Sequence, residues 1–149
     1  KIIVMDEGSV IQIGSPDELY FDPVNSFVAG VFGELNKLDG LVNGDKVITP
    51  LVELPAQGLA SGTKVEVVVR PEALHLSSLK GPDVCFEASV IESRLLGRMS
   101  YIHLSSDSRQ RAGENIHLHC KIPGRVLPSK DECVRVYIDL EQTFIFERN

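Results

Sequence analysis

The side chains best equipped for chemistry in this sequence are four histidines and three cysteines. His117 and His119 stand two residues apart, so an extended strand presents both on one face, where imidazoles can converge on Zn²⁺. Cys120 follows at once and therefore points the other way, while His75 and His103 lie well upstream. No tight carboxylate group accompanies these residues, which argues against Fe³⁺, a hard ion that prefers oxygen ligands. We expect a solvent-facing pair at His117 and His119, and no metal ligand among them. Cys85, Cys120 and Cys133 are odd in number and lack C-x-x-C spacing, so they compose neither a disulfide framework nor a zinc knuckle. Ser, His and Asp are all present, yet no G-x-S-x-G elbow gives a serine the context of a nucleophile. There is also no G-x-x-x-x-G-K-[ST] loop to cradle phosphates, and no apolar strand ends in an Asp-Glu pair for Mg²⁺ and water activation. Catalytic, cofactor and metal residues are accordingly expected to be absent from this stretch of chain.

Contact chemistry is a different matter. Arg70 and Glu72 flank Pro71, a rigid corner that suits either a local ion pair or a contact with another domain, and the sequence leaves both readings open. Leu96-Gly97-Arg98 forms a turn with an apolar and a basic member beside its glycine. Arg70, Glu72, Leu96, Gly97 and Arg98 are the candidates for interdomain or dimer contacts.

Those residues need elements to hold them, and composition bounds what the elements can be. At 149 residues and 43% hydrophobic side chains, the chain can build one cored domain or two small ones without staples. Fifteen basic side chains against twenty-one acidic give a formal charge of −6, unsuited to neutralising phosphates. With six Phe, three Tyr and no Trp, stacking platforms are scarce as well. No run approaches the roughly 20 apolar residues that cross a bilayer as a helix, and the first residues lack the basic-then-apolar pattern of a signal peptide. Lys1 stands at the edge of the apolar run Ile2-Ile3-Val4-Met5, which leads us to expect a cut through a larger protein.

Periodicity then places the elements. Strands Ile2 to Met5 and Val10 to Ile13 flank Asp6-Glu7-Gly8-Ser9, where glycine can supply a positive φ. Ser15, Pro16 and Glu18 make an S-x-x-E capping box with proline at the first helical position, predicting a short helix to about Phe21. After Asp22-Pro23 a second short helix is expected to carry Phe27, Val28, Val31 and Phe32 as one packing stripe, stopped by Gly33. From Leu35 onward the pattern alternates with period two. Asn43-Gly44 centres a hairpin, Val65, Val67 and Val69 alternate with Lys64, Glu66, Val68 and Arg70 up to Pro71, and Val84, Phe86, Ala88 and Val90 form one face of a strand turned back at Leu96-Gly97-Arg98. Ile116, Leu118, Cys120 and Ile122 oppose His117, His119 and Lys121, and Val134, Val136, Ile138 and Leu140 oppose Arg135, Tyr137 and Asp139. Ser105 to Gly113 reads as a polar loop. Many short strands at this spacing predict a small barrel or sandwich.

The stretch from Ile3-Val4-Met5-Asp6-Glu7-Gly8 through Gly14-Ser15-Pro16-Asp17-Glu18-Leu19-Tyr20 resembles the end of the ATPase domain in bacterial ABC importers for ferric iron, polyamines, sulfate and sugars. Asp22-Pro23 with Phe27-Val28-Ala29 and Phe32-Gly33 resembles that family's linker. Val69-Arg70-Pro71-Glu72 resembles the Arg-Pro-Glu motif of its accessory domain, and Leu95-Leu96-Gly97 the later glycine-bearing turn. The resemblance implies a mainly β fold of small OB-like antiparallel barrels with two short N-terminal helices. It implies that residues 1–34 end an ATPase domain and residues 35–149 form a TOBE/OB-like regulatory β domain. It further implies an accessory and dimerisation role, with a second copy, the upstream ATPase domain and transmembrane permease subunits as partners and no nucleic acid. The parent would use ATP and Mg²⁺, this stretch neither, at the inner face of the cytoplasmic membrane, with ferric iron or a polyamine as the favoured cargo. The competing class is an OB-fold module for nucleic acid or a small ligand.

Overall fold

The computed structural model describes residues 1–79 and 84–148, and its chain divides into two compact units, Lys1–Leu35 and Asn36–Asn149. In the first unit β1 (Ile2–Asp6) and β2 (Ser9–Gly14) pair antiparallel, with Ile3 opposite Ile13 and Asp6 opposite Ser9. A two-residue loop joins them, and both of its members take positive φ, Glu7 at 46° and Gly8 at 81°. That backbone hand matches the twist of the flanking strands.

Helix α1 (Pro16–Phe21) starts with the expected capping box. The Glu18 amide donates to Ser15 Oγ at 3.2 Å, and the Ser15 amide donates to a Glu18 carboxylate oxygen at 2.8 Å. Two N-terminal amides that lack helical partners are thereby satisfied. Helix α2 (Ser26–Gly30) is capped by Asn25, whose Oδ1 accepts from the Val28 amide at 3.0 Å. The link between the helices is clamped by Gln12, which donates to the Asp22 carbonyl and accepts from the Val24 amide, both at 3.0 Å. Val4, Leu19 and Val28 form the small core, with Ile11 packed against it.

The expected stripe on α2 is corrected by the structure. Val28 is buried, but Phe27, Val31 and Phe32 are 45%, 52% and 39% exposed. The helix closes at Gly30, so Val31 and Phe32 lie beyond the turns that would align them with Val28. Phe32 instead meets Tyr20 edge-on, with ring centroids 5.7 Å apart.

The second unit is mainly β, and every strand pair in it is antiparallel. Strands β3 (Asn36–Asn43), β4 (Lys46–Ile48), β5 (Glu53–Pro55), β6 (Lys64–Val69) and β12 (Thr143–Glu147) make a five-stranded sheet in the order β12-β6-β3-β4-β5. Strands β7 (Leu74–His75), β8 (Cys85–Leu96), β9 (Met99–Asp107), β10 (Asn115–Pro123) and β11 (Cys133–Ile138) make the other, in the order β10-β9-β8-β11-β7. The second sheet curls until its edges meet: Cys120 Sγ on β10 lies 3.2 Å from the Leu74 carbonyl on β7. These are small, nearly closed, OB-like barrel sheets.

One hydrophobic core serves both sheets. Val65, Val67 and Val69 of β6 bury against Leu38, Val42 and Val47 from the first sheet and Val90, Leu104 and Val136 from the second. Each such side chain contributes about 1.5–3 kcal/mol. Asn36 joins the sheets by a different means. Its side-chain amide donates to the His119 carbonyl and accepts from the His119 amide, both at 2.8 Å, so it pairs the edge of β10 as another strand would.

Two expectations shift in detail. The β3–β4 loop is Gly44-Asp45, since Asn43 pairs with Lys46, and Gly44 takes the positive φ of 65°. Strand β9 runs on to Asp107, which shortens the loop expected over 105–113. Ser106 is buried there, and its hydroxyl donates to the Glu87 carbonyl at 2.7 Å, so a polar residue fills an inward strand position without an orphaned group.

Candidate functional site

Arg70 ends β6 by entering the core. It is 2% exposed, and its guanidinium lies over the Phe144 ring, 5.4 Å from the centroid. A guanidinium is less strongly hydrated than an ammonium and stacks on aromatic faces, which makes arginine the basic residue best suited to this depth. Pro71 opens a 3-10 turn over Pro71–Ala73, closed by the Ala73 amide donating to the Arg70 carbonyl at 2.9 Å. From that corner the Arg70 amide reaches the Gln142 carbonyl at 3.3 Å, and the Asp139 amide reaches the Ala73 carbonyl at 2.8 Å. Arg-Pro-Glu thus ties β6 and β7 to the segment ahead of β12. Glu72 is half-buried beside it.

Leu96, Gly97 and Arg98 occupy a separate element, the tip of the long β8–β9 hairpin. Leu96 pairs with Met99 across the turn, Gly97 has φ 64°, and the Arg98 carbonyl accepts from the Gly124 amide at 2.8 Å. Leu95 and Leu96 are 43% and 51% exposed, with Arg94 and Arg98 also exposed beside them. The tip is therefore an apolar knob with a basic fringe, held at the end of two paired strands.

Three of the four histidines, His103, His117 and His119, collect on the second sheet, while His75, on β7, pairs with Tyr137. Strand pairing sets Glu92, His103 and His119 in one row across β8, β9 and β10, and His117 in the next row opposite Ser105. His103 Nε2 approaches His117 Nδ1 to 3.0 Å, and the His103 and His119 rings stack with centroids 4.8 Å apart. His117 and His119 are exposed, as their alternation with Leu118 and Cys120 predicts. A parallel stack directs ring nitrogens side by side rather than toward a common point. Among the described residues no group of three or more His, Cys, Asp or Glu is arranged to hold a metal ion. Sequence spacing could not bring His103 into this group, because its partnership depends on strand register.

Cys120 is buried behind the histidines, and burial pushes its thiol up to about 12. It is a packing residue with a neutral thiol. Cys85 is half-buried and Cys133 exposed, both free. The residue that sequence reasoning missed outright is Asn36, whose long-range pairing with His119 leaves no local signal.

No family model matches the chain. It is 42% identical over 78 residues to a spermidine/putrescine import ATP-binding protein of Bacteroides thetaiotaomicron, covering 50% of this chain and 17% of that protein. A sulfate/thiosulfate import ATP-binding protein of Bacillus cereus is 33% identical over 109 residues, which cover 72% of this chain and 30% of that protein. Its homologues are ATP-binding subunits of ABC importers. A third relative, a spermidine/putrescine import ATP-binding protein of Acetivibrio thermocellus, is 38% identical over 78 residues, 50% of this chain and 22% of that protein. The chain thus spans less than a third of the length of the importer subunits it matches. No helix among the described residues is long and apolar enough to cross a membrane.

Proposed function

We propose that this chain is the accessory and dimerisation piece of an importer's ATP-binding subunit. Residues 1–34 would end the ATPase domain, and residues 35–149 would form its TOBE/OB-like regulatory domain. The observation that carries this reading is the similarity to import ATP-binding proteins over 72% of the chain but only 30% of the relative, combined with an OB-like β unit. The sequence contains neither a phosphate loop nor a magnesium-binding Asp-Glu strand end, so nucleotide chemistry in the parent would reside elsewhere. ATP and Mg²⁺ belong to that parent, as do the permease subunits and the position at the inner face of the cytoplasmic membrane. Its cargo is one of the classes suggested by the resemblance, a polyamine being supported by two of the relatives' names.

In this reading the exposed tip Leu96-Gly97-Arg98 makes contact with a second copy. Arg70 is too deeply buried to touch a partner and serves by fixing the corner from which half-buried Glu72 projects. Calorimetric titration of the 149-residue chain with Mg·ATP is expected to show no saturable heat. Micromolar binding would mean that a nucleotide site lies within the chain and would overturn the assignment.

A further inference from the structure

The second unit carries a cavity of about 420 Å³ that none of the interactions above employs. This volume lies at the small end of the roughly 300–1,000 Å³ range of small-molecule sites. Its apolar wall is Leu41 on β3 and Ile48 on β4, brought together because Leu41 pairs with both Ile48 and Lys64 across neighbouring strands. Leu41 is 47% exposed, so its side chain is open to the cavity on the outer face of the sheet.

The polar rim is asymmetric. Asp39 is engaged, because the Arg148 guanidinium pairs with it and with Glu66, the latter at 3.0 Å. Those two carboxylates are therefore already matched to a cation. The Lys64 ammonium and the side-chain amide of Gln110, which also line the cavity, have no hydrogen-bond or ion-pair partner among the described residues. Gln110 is brought there by a defined turn: the Ser108 hydroxyl accepts from the Gln110 and Arg111 amides at 3.2 Å, and the Arg109 amide donates to the Pro50 carbonyl at 2.7 Å. An ammonium and an amide, both unengaged, thus stand over an apolar floor.

We propose that this cavity binds a small amphipathic monocarboxylate, its carboxylate on Lys64 Nζ and the Gln110 amide, and its hydrocarbon on Leu41 and Ile48. A cationic ligand meets the Lys64 ammonium beside a lining carboxylate, Asp39, that already pairs with Arg148. A purely ionic ligand leaves the apolar floor uncovered. The charge and the tail must therefore come together, at a spacing of a few bonds.

The test is titration of the isotopically labelled 149-residue chain with sodium hexanoate, followed by amide NMR, alongside hexylammonium chloride and sodium acetate as probes of tail and head alone. Hexanoate is expected to shift the Leu41, Ile48, Lys64, Val65 and Gln110 amides saturably, with either control binding at least about tenfold more weakly. Lys64→Met keeps the backbone pairing of β6 and is expected to weaken hexanoate about tenfold or more, the loss of a charge-assisted hydrogen bond. Leu41→Glu, at an exposed position, is expected to abolish the shifts while leaving the rest of the spectrum in place. Shifts that do not saturate, that centre on other residues, that hexylammonium reproduces with equal affinity, or that survive Lys64→Met unchanged would each overturn the proposal.

Discussion

Asn36 shows how one side chain can carry a junction between two sheets. Its amide meets both backbone groups of His119, so replacing it removes two hydrogen bonds at once and leaves a donor and an acceptor to find water at a partly covered edge. Asn36→Ala is expected to cost about 2 kcal/mol, read as a lower urea midpoint at unchanged slope. Asn36→Asp should cost at least as much, since it keeps the acceptor but sets a carboxylate oxygen against the His119 carbonyl. Cys120 supplies a pH-dependent counterpart. Burial raises its pKa from 9.0 to about 12, so the folded state holds a proton that the unfolded chain releases first. Its contribution is fully present below about pH 9 and is lost as pH rises toward 12. Between pH 9 and 10 the native protein is expected to lose up to about 1.4 kcal/mol more stability than Cys120→Ala, measured by denaturant unfolding at each pH. Neither effect is equally readable from sequence. Alternation with Leu118 already turns Cys120 inward, whereas the pairing of Asn36 with His119 bridges 83 positions and has no local trace.

At the scale of elements, Gly40 reports how tightly the neighbouring strands β3, β4 and β6 pack their inward side chains. A Cβ built on it would stand 2.7 Å from Val47 Cγ1 and 2.9 Å from Val65 Cγ2, both on fully buried side chains. Gly40→Ala is therefore expected to destabilise by about 1–3 kcal/mol through overpacking, with a lower thermal midpoint. The capping box at Ser15 and Glu18 was legible because its chemistry is complete within four residues, and the hairpin at Glu7-Gly8 because the turn demands a positive φ. The stripe on α2 was misread for the opposite reason: periodicity assumes a helix long enough to repeat, and this one closes at Gly30. Ser105 to Asp107 read as loop because serine and aspartate disfavour strands, yet register with β10 and the Ser106 hydrogen bond keep them in β9. The Leu96-Gly97-Arg98 tip was legible as a turn, but its apolar exposure became visible only once both strands were placed.

For the whole molecule, alternation from Leu35 onward was enough to anticipate a mainly β, OB-like unit, because the inward positions of its strands are mainly apolar. The curling of the second sheet was not legible, since it depends on Cys120 meeting Leu74 across 46 positions. Two of the exposed apolar surfaces suit a contact between copies, the hairpin tip at Leu95 and Leu96, and the hairpin of the first unit at Ile3, Met5, Val10 and Ile13. Either could hold two copies together, but only the tip belongs to the proposed regulatory β domain. Ile3 and Ile13 are cross-strand neighbours at 57% and 54% exposure, so charging both removes that surface without entering a core. The measurement that tests the dimerisation role most directly is light scattering of the chain at high micromolar concentration, beside Leu96→Asp and the double change Ile3→Glu, Ile13→Glu. The account predicts twice the chain mass for the native protein and for the Ile3, Ile13 variant, and a single chain mass for Leu96→Asp. A native protein that stays monomeric, or a dimer that the Ile3, Ile13 variant dissociates and Leu96→Asp does not, would contradict it.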